Sequence, residues 1–442
     1  MNIQLSDHFT YGKLIRFTLP SIGMMIFTSI YGVVDGFFVS NFVGKTPFAA
    51  VNLIWPFLMI LGAFGFMFGT GGSALIAKTM GMGRMEKARE LFSLLIAVSL
   101  GLGVVITALG MAFLRPIAAL LGAEGELLEG CVVYGRILLL ALPAFMLQME
   151  FQSFFITAEK PQLGLWVTVG SGLTNMVLDA LLVAVFSLGL VGAALATALS
   201  QVVGGLVPLF YFARENSSLL RLTRFHWDGG ALWKTCTNGS SELMSNLSMS
   251  LVSMLYNVQL MRYAGEDGVA AYGVMMYVSF VFISTFVGYS IGTAPIISYH
   301  YGAENREELH SLLTKSLVLI GGASVVMVIA GELLARPFSA IFVGYDPALF
   351  DLTLRGFAIF SFSFLFSGFA IYGSGFFTAL NNGLVSAVIS FLRTLVFQIA
   401  AVFLLPLVWE IDGVWASVVA AELAAAALTV AFLVGMQKKY GY

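Results

Sequence analysis

Charge is what this chain has least of. Only 10% of its 442 residues are charged, 24 acidic and 22 basic, where a soluble domain carries about 25%. The net charge of −2 includes no basic cluster, so nucleic acid is not an expected partner. Cysteine is nearly absent. Cys131 and Cys236 stand alone, which excludes a disulfide framework and leaves them as small apolar residues. With four histidines there is no His/Cys metal cluster and no nucleophile–base pattern, so neither an enzyme nor a cofactor is expected. Gly44-Lys45-Thr46 ends like a phosphate-binding loop, but position 39, where that loop needs its first glycine, is Val39. No cleavable signal pattern is present, and the first apolar run is expected to serve as its own targeting signal.

What the chain has in abundance is apolar sequence: 59% hydrophobic residues and a mean hydropathy of +0.92. No soluble fold buries that much apolar surface at this length. Runs of about 20 apolar residues span a bilayer as helices, and twelve are present. They cover 14–40, 49–78, 91–113, 131–157, 162–187, 190–213, 236–262, 269–299, 312–334, 350–379, 384–407 and 413–436. The runs are continuous rather than alternating, which favours helices over a barrel. The expected fold is an all-α polytopic membrane protein with the lipid bilayer as its surroundings. Lys and Arg concentrate at the N-terminus (Lys13, Arg16), after the second run (Lys78, Arg84, Lys87, Arg89), after the sixth (Arg214, Arg221, Arg224, Lys234) and at the C-terminus (Lys438, Lys439). The positive-inside rule then places both termini in the cytoplasm, for a multi-pass protein of the plasma membrane.

The sequence matches itself at the constant offset of 221 residues that separates Gly44 from Gly265. Gly81 pairs with Gly302, Arg115-Pro116 with Arg336-Pro337, Thr157-Ala158 with Thr378-Ala379, and Gly192 with Gly413. Two six-helix lobes are expected, residues 1–213 and 235–442, joined by a polar cytoplasmic linker at 214–234. They should be related by a pseudo-two-fold axis along the membrane normal, with the main site between them.

Intramembrane acids are expensive and usually face a cavity, a partner or an ion path. Asp35 and Asp179 lie within the first and fifth runs, and the repeat places Tyr256 and Ala400 at their positions in the second half. Ions are thus expected to couple in the first half alone. Thr28, Gly32 and Asp35 share one helix face, as do Thr168, Gly172, Asn175 and Asp179, while Thr197 and Gln201 lie on the sixth run. Two adjacent carboxylates in a low dielectric cannot both stay ionised without a cation. The pocket therefore carries either a proton or sodium, the latter ligated by Asp35, Asn175, Asp179 and Thr197. The alternative is that each acid is capped by hydroxyls and amides and only fixes packing. Glu242, in NGSSELMSNLSM, is placed to attract a cationic ligand in a central cavity, with Thr28 and Gln201 as further cavity residues, or else caps a helix end. Glu150, between Gln148 and Gln152, reads as a structural polar network, and Arg393 and Glu422 as mutual neutralisers. Pro20, Pro56, Pro143, Pro208 and Pro295 fall inside predicted helices, where proline removes a backbone hydrogen bond and permits a kink. A bend at Pro20 would change the cavity beside Asp35.

The strings TLPSI…VVDGFFVSNFVG, NMVLDALLVAVFSLGLVGAALATALSQ and IGTAPIISYHYGAEN, with the twelve-run length, resemble the multidrug and toxic compound extrusion (MATE) family of secondary transporters. The resemblance implies a V-shaped pair of six-helix lobes that exports cationic or amphipathic drugs in exchange for protons or sodium. By position it makes Asp35, Asn175, Asp179 and Thr197 the polar group of the first lobe, Pro20 the bend proline and Glu242 the acid of the seventh helix. The acid some members carry on the tenth helix has no counterpart in GFAIYGSGFFTALNNG. The rivals are a major-facilitator permease, whose Asp/Arg-rich loop is missing from MGMGRMEKARE, and a flippase or exporter of a lipid-linked or metabolite substrate. The expected partners are small organic cations, and a monomer suffices because both lobes lie in one chain.

Overall fold

The computed structural model describes residues 2–442. Three long helices open the chain: α1 (Tyr11–Phe42), α2 (Lys45–Gly81) and α3 (Met85–Leu120). The fourth span is a pair, α4 (Gly125–Leu140) and α5 (Leu142–Thr157), bent by 59°. Pro143 is therefore not inside a helix, as the sequence pattern suggests, but in the first turn of α5, where its missing N–H costs nothing. Next come α6 (Pro161–Leu178), prolonged by π-helical turns over Asp179–Val185, and α7 (Gly189–Ala213). The 74 residues of α8 (Gly229–Gly302) are two spans divided at Gly265, whose φ of 63° breaks the helix. The chain continues through α9 (Arg306–Val343), α10 (Pro347–Phe360), α11 (Phe364–Ala379), α12 (Gly383–Phe391), α13 (Phe397–Leu404) and α14 (Pro406–Tyr440). With bent and segmented helices joined and α8 divided, the described residues form twelve spans.

The two halves are alike in backbone as well as in sequence. Positive φ recurs at the 221-residue offset: Gly44 (126°) with Gly265 (63°), Gly83 (79°) with Glu304 (55°), and Gly189 (64°) with Glu410 (52°). The contacts between halves obey the same axis. A Cβ on Gly81 would strike the Tyr299 carbonyl, and one on Gly302 the carbonyl of Lys78, the repeat partner of Tyr299. These glycines let two helices cross at backbone distance.

That close packing lies at the end carrying both termini. Gly71 meets Thr235 and Gly239 and Gly288 meets Ile22 across the halves, while Gly383 meets Thr237 within the second half. The N-terminal segment straps this end across both halves. Leu5 N–H donates to Glu159 Oε1 at 2.7 Å, Phe9 N–H to Glu308 Oε1 at 2.9 Å, and Lys315 Nζ to the Phe9 carbonyl at 2.6 Å. The polar stretch after α7 lies on the first half, with Arg89 Nε on the Leu219 carbonyl (3.0 Å) and Thr223 N–H on Ser93 Oγ (2.8 Å). At the opposite end the first half has a core of its own, including Val39, Ile54, Leu138, Val183 and Ala194, to which no described residue of the second half contributes. The halves are thus closed at the terminal end and part toward the other.

Candidate site in the first six-helix half

Asp35 lies in the far half of α1, and Asp179 begins the π-helical turns after α6. The wide π turn interrupts the regular ladder, as it often does at functional positions. Asp179 is fully buried and neither of its carboxylate oxygens has a donor. The two carboxyls lie close enough to feel one another, and two neighbouring acids in a low dielectric favour a proton or a cation between them. Thr197 Oγ1 donates to Asp35 Oδ1 at 3.4 Å and receives Asn175 Nδ2 at 3.3 Å. Asn175 Oδ1 and Gln201 Oε1 are also buried without donors. Four oxygens from Asp179, Asn175 and Gln201 therefore wait for positive charge or a donor. Buried acceptors in that condition are costly.

A polar chain supports this group. Gln148 Nε2 donates to Ser171 Oγ (3.0 Å), Ser171 Oγ to the Ser200 carbonyl (2.7 Å) and Ser200 Oγ to the Thr197 carbonyl (2.8 Å). Tyr31 reaches Gln148 from the turn before Asp35, and Tyr134 brings a buried hydroxyl toward Thr197 from α4. Sequence reasoning missed these five as site residues. Tyr31 and Ser171 carried a signal, each sitting four residues from Asp35 or Asn175. Tyr134 carried none, because only the folded chain brings α4 there.

Asp35, Asn175, Asp179 and Thr197 are thus brought together, with Gln201 one turn from Thr197 and buried in the same half. Thr28 is not joined to them: its hydroxyl donates to the Met24 carbonyl at 2.8 Å on its own helix. Pro20 is buried in α1 near the closed end. Glu242 is half-buried on α8, close enough to Arg393 to feel its charge. Arg393 itself forms a two-pronged ion pair with Glu422, with both contacts at 2.9 Å. Glu150 is buried near Ser99, and neither of its carboxylate oxygens has a hydrogen-bond partner. No cluster of three or more His, Cys, Asp or Glu exists among the described residues. Sodium here would be held instead by carboxylate, amide and hydroxyl oxygens, the donors a hard cation prefers.

Comparison with known proteins gives the arrangement a context. A family model described as MatE matches residues 20–181 and again 243–404, two copies that coincide with the internal repeat. The multidrug export protein MepA of Staphylococcus haemolyticus is 25% identical over 433 residues, covering 97% of this chain and 94% of that protein. MepA of Staphylococcus aureus is 24% identical over 428 residues, covering 96% and 94%. Among solved structures, the outward-facing conformation of a multidrug resistance MATE family transporter of the MOP superfamily superposes with a TM-score of 0.92 at 24% identity, over 99% of this chain and 97% of that one. A crystal structure of MATE in complex with MaD5 gives 0.90 at 25% identity, over 99% and 98%.

Proposed function

Because the chain belongs to the MatE family, and is a membrane transporter rather than an enzyme or a major-facilitator permease, we propose that it is an antiporter exporting cationic or amphipathic drugs in exchange for protons or sodium. The observation that supports this reading is the buried, donor-poor acid group of the first half. Asp35 and Asp179 take a proton between them, or with Asn175 and Thr197 hold sodium, entering from the open end. Occupancy neutralises the acids and favours drug release there. Drug binding from the cytoplasm favours release of the ion. Glu242, half-buried on α8 one turn beyond Gly239, supplies attraction for an organic cation, and a bend at Pro20 couples α1 to the cavity. The relatives named as multidrug export proteins support the substrate class. The setting is the plasma membrane with both termini cytoplasmic, no cofactor is needed, and one chain holds both lobes and so acts as a monomer. One-for-one exchange of a proton or sodium for a monovalent organic cation moves no net charge, so the ion's concentration gradient drives it: a tenfold ion gradient supplies about 1.4 kcal/mol and holds a roughly tenfold substrate gradient.

The test is dye movement in proteoliposomes under separately imposed pH and sodium gradients. The gradient that drives a fluorescent organic cation names the ion. No movement under either gradient would sink the drug-exporting reading and favour a lipid-linked or metabolite substrate.

A further inference from the structure

On the face carrying the termini, a cavity of about 430 Å³ opens between the two halves. Lys78 reaches it from the end of α2, Lys234 from the first turns of α8 and Lys439 from the end of α14. Lys78 Nζ lies 5.1 Å from the centre of the Tyr301 ring, and Lys439 Nζ 5.2 Å from that of Tyr440. Among the described residues none of the three lysines forms an ion pair, and no acid lines the cavity. Lys78 and Lys234 are near enough to repel. The same cavity is lined by Asn382 and Gly383, where α12 starts, with Asn382 Oδ1 accepting from Val385 N–H at 3.3 Å. The positive end of a helix thus adds to the ammonium charges.

The other half shows what a filled version looks like. Lys234 corresponds by the repeat to Lys13, and Lys13 Nζ pairs with Asp7 Oδ2 at 3.1 Å. Asp7 belongs to the N-terminal strap, so on that side the chain supplies its own anion. On the Lys234 side it supplies none. Three like charges around one hole, at the helix ends where lipid headgroups lie, call for an external anion.

We propose that this cavity is a binding site for a phosphate group, carried either by an anionic phospholipid or by soluble phosphate, held jointly by Lys78 of the first half and Lys234 and Lys439 of the second. A ligand shared by both halves favours the state in which this end is closed. The site is separate from the acid group of the first half, and its test needs no transport.

Full-length protein is placed in nanodiscs of phosphatidylcholine with or without phosphatidylglycerol. Native mass spectrometry counts the phosphatidylglycerol retained, and inorganic phosphate is titrated into the phosphatidylcholine arm while thermal unfolding is followed. Retention of phosphatidylglycerol identifies a lipid ligand, and a rise in unfolding temperature with phosphate alone identifies a soluble one. Lys234→Gln and Lys439→Gln, both at exposed positions, should weaken the binding by about fivefold each, while Lys45→Gln at the opposite end should not. Their unfolding temperatures in pure phosphatidylcholine check that they fold. Binding that the two substitutions leave unchanged, or no response to either anion, overturns the proposal.

Discussion

The two halves share a backbone and differ in what they do with charge. In the first half, Asp35 and Asp179 lie together with buried oxygens that lack donors. The second half has Tyr256 and Ala400 at those positions, and the Tyr256 hydroxyl donates to Gln398 Oε1 at 2.6 Å. Conversely, where the first half has Gly172 and Gln201, the second has Arg393 and Glu422, closed on each other. One half carries a buried acid group with no basic partner, which we propose takes a mobile cation, while the other carries a cation tethered to the chain. A duplicated scaffold can thus keep its geometry while its two copies carry different charged groups.

The comparison breaks most decisively at Asp179. Asp179→Asn removes one of the two acids, and an imposed tenfold ion gradient should then drive no dye accumulation in proteoliposomes, against the roughly tenfold accumulation expected of a one-for-one coupled carrier. Wild-type accumulation by this variant would mean that the acid group only packs. In the second half the equivalent experiment should damage stability rather than coupling. Glu422→Gln strands the Arg393 guanidinium, whose side chain is only 16% exposed, and should cost about 3 kcal/mol. That loss appears as a lower unfolding temperature in detergent, largely recovered by the Arg393→Met/Glu422→Gln double variant. An unchanged unfolding temperature in the single variant would show that the pair is not structural.

Where the halves are alike, paired substitutions should match. Gly81→Ala and Gly302→Ala each push a methyl group into a backbone carbonyl across the closed end, for an expected cost of about 2 kcal/mol apiece. Clearly unequal losses would break the two-fold relation there. A smaller effect separates the helices that open the halves. Asp228 caps α8 through the Ala231 N–H at 3.0 Å, with Lys87 at 3.3 Å. That backbone N–H, and beside it the ammonium, hold the Asp228 carboxyl below the usual carboxylate range. Stability from a lowered pKa is complete above the ordinary value and vanishes as pH falls through the folded one. Asp228→Ala should therefore cost about 1 kcal/mol at neutral pH, with the gap to wild type closing in strong acid. Thr10, which caps α1 with a neutral hydroxyl, should show no such closing. Arg115→Gln, which breaks the exposed pair with Glu129, should leave unfolding unchanged within error.

The spans were legible because hydrocarbon tolerates little besides continuous apolar helix. Their ends were not. α3 runs over Met85–Leu120 rather than 91–113, because polar residues beyond the hydrocarbon continue a helix without raising its hydropathy. Likewise α8 begins at Gly229, within the polar stretch read as extending to Lys234. Asp35, Asn175 and Asp179 stood out because acids and amides are rare in such runs and theirs share helix faces. The bend at Pro143 had its proline as a local signal, but the reach of Tyr134 depends on packing between helices distant in sequence, and no local pattern announces it or the π turns at Asp179. Thr28 shares a helix face with Asp35 by spacing, and its hydroxyl is satisfied on the Met24 carbonyl four residues back.

The reciprocal contact at the closed end has the form of an isologous dimer interface: position 81 meets 299 while 302 meets 78. Each six-helix half thus carries one complete face of a self-complementary joint. Cutting the chain in the segment between α7 and α8 would leave that joint intact, so the two fragments, co-expressed, should find each other in the membrane without the peptide that connects them.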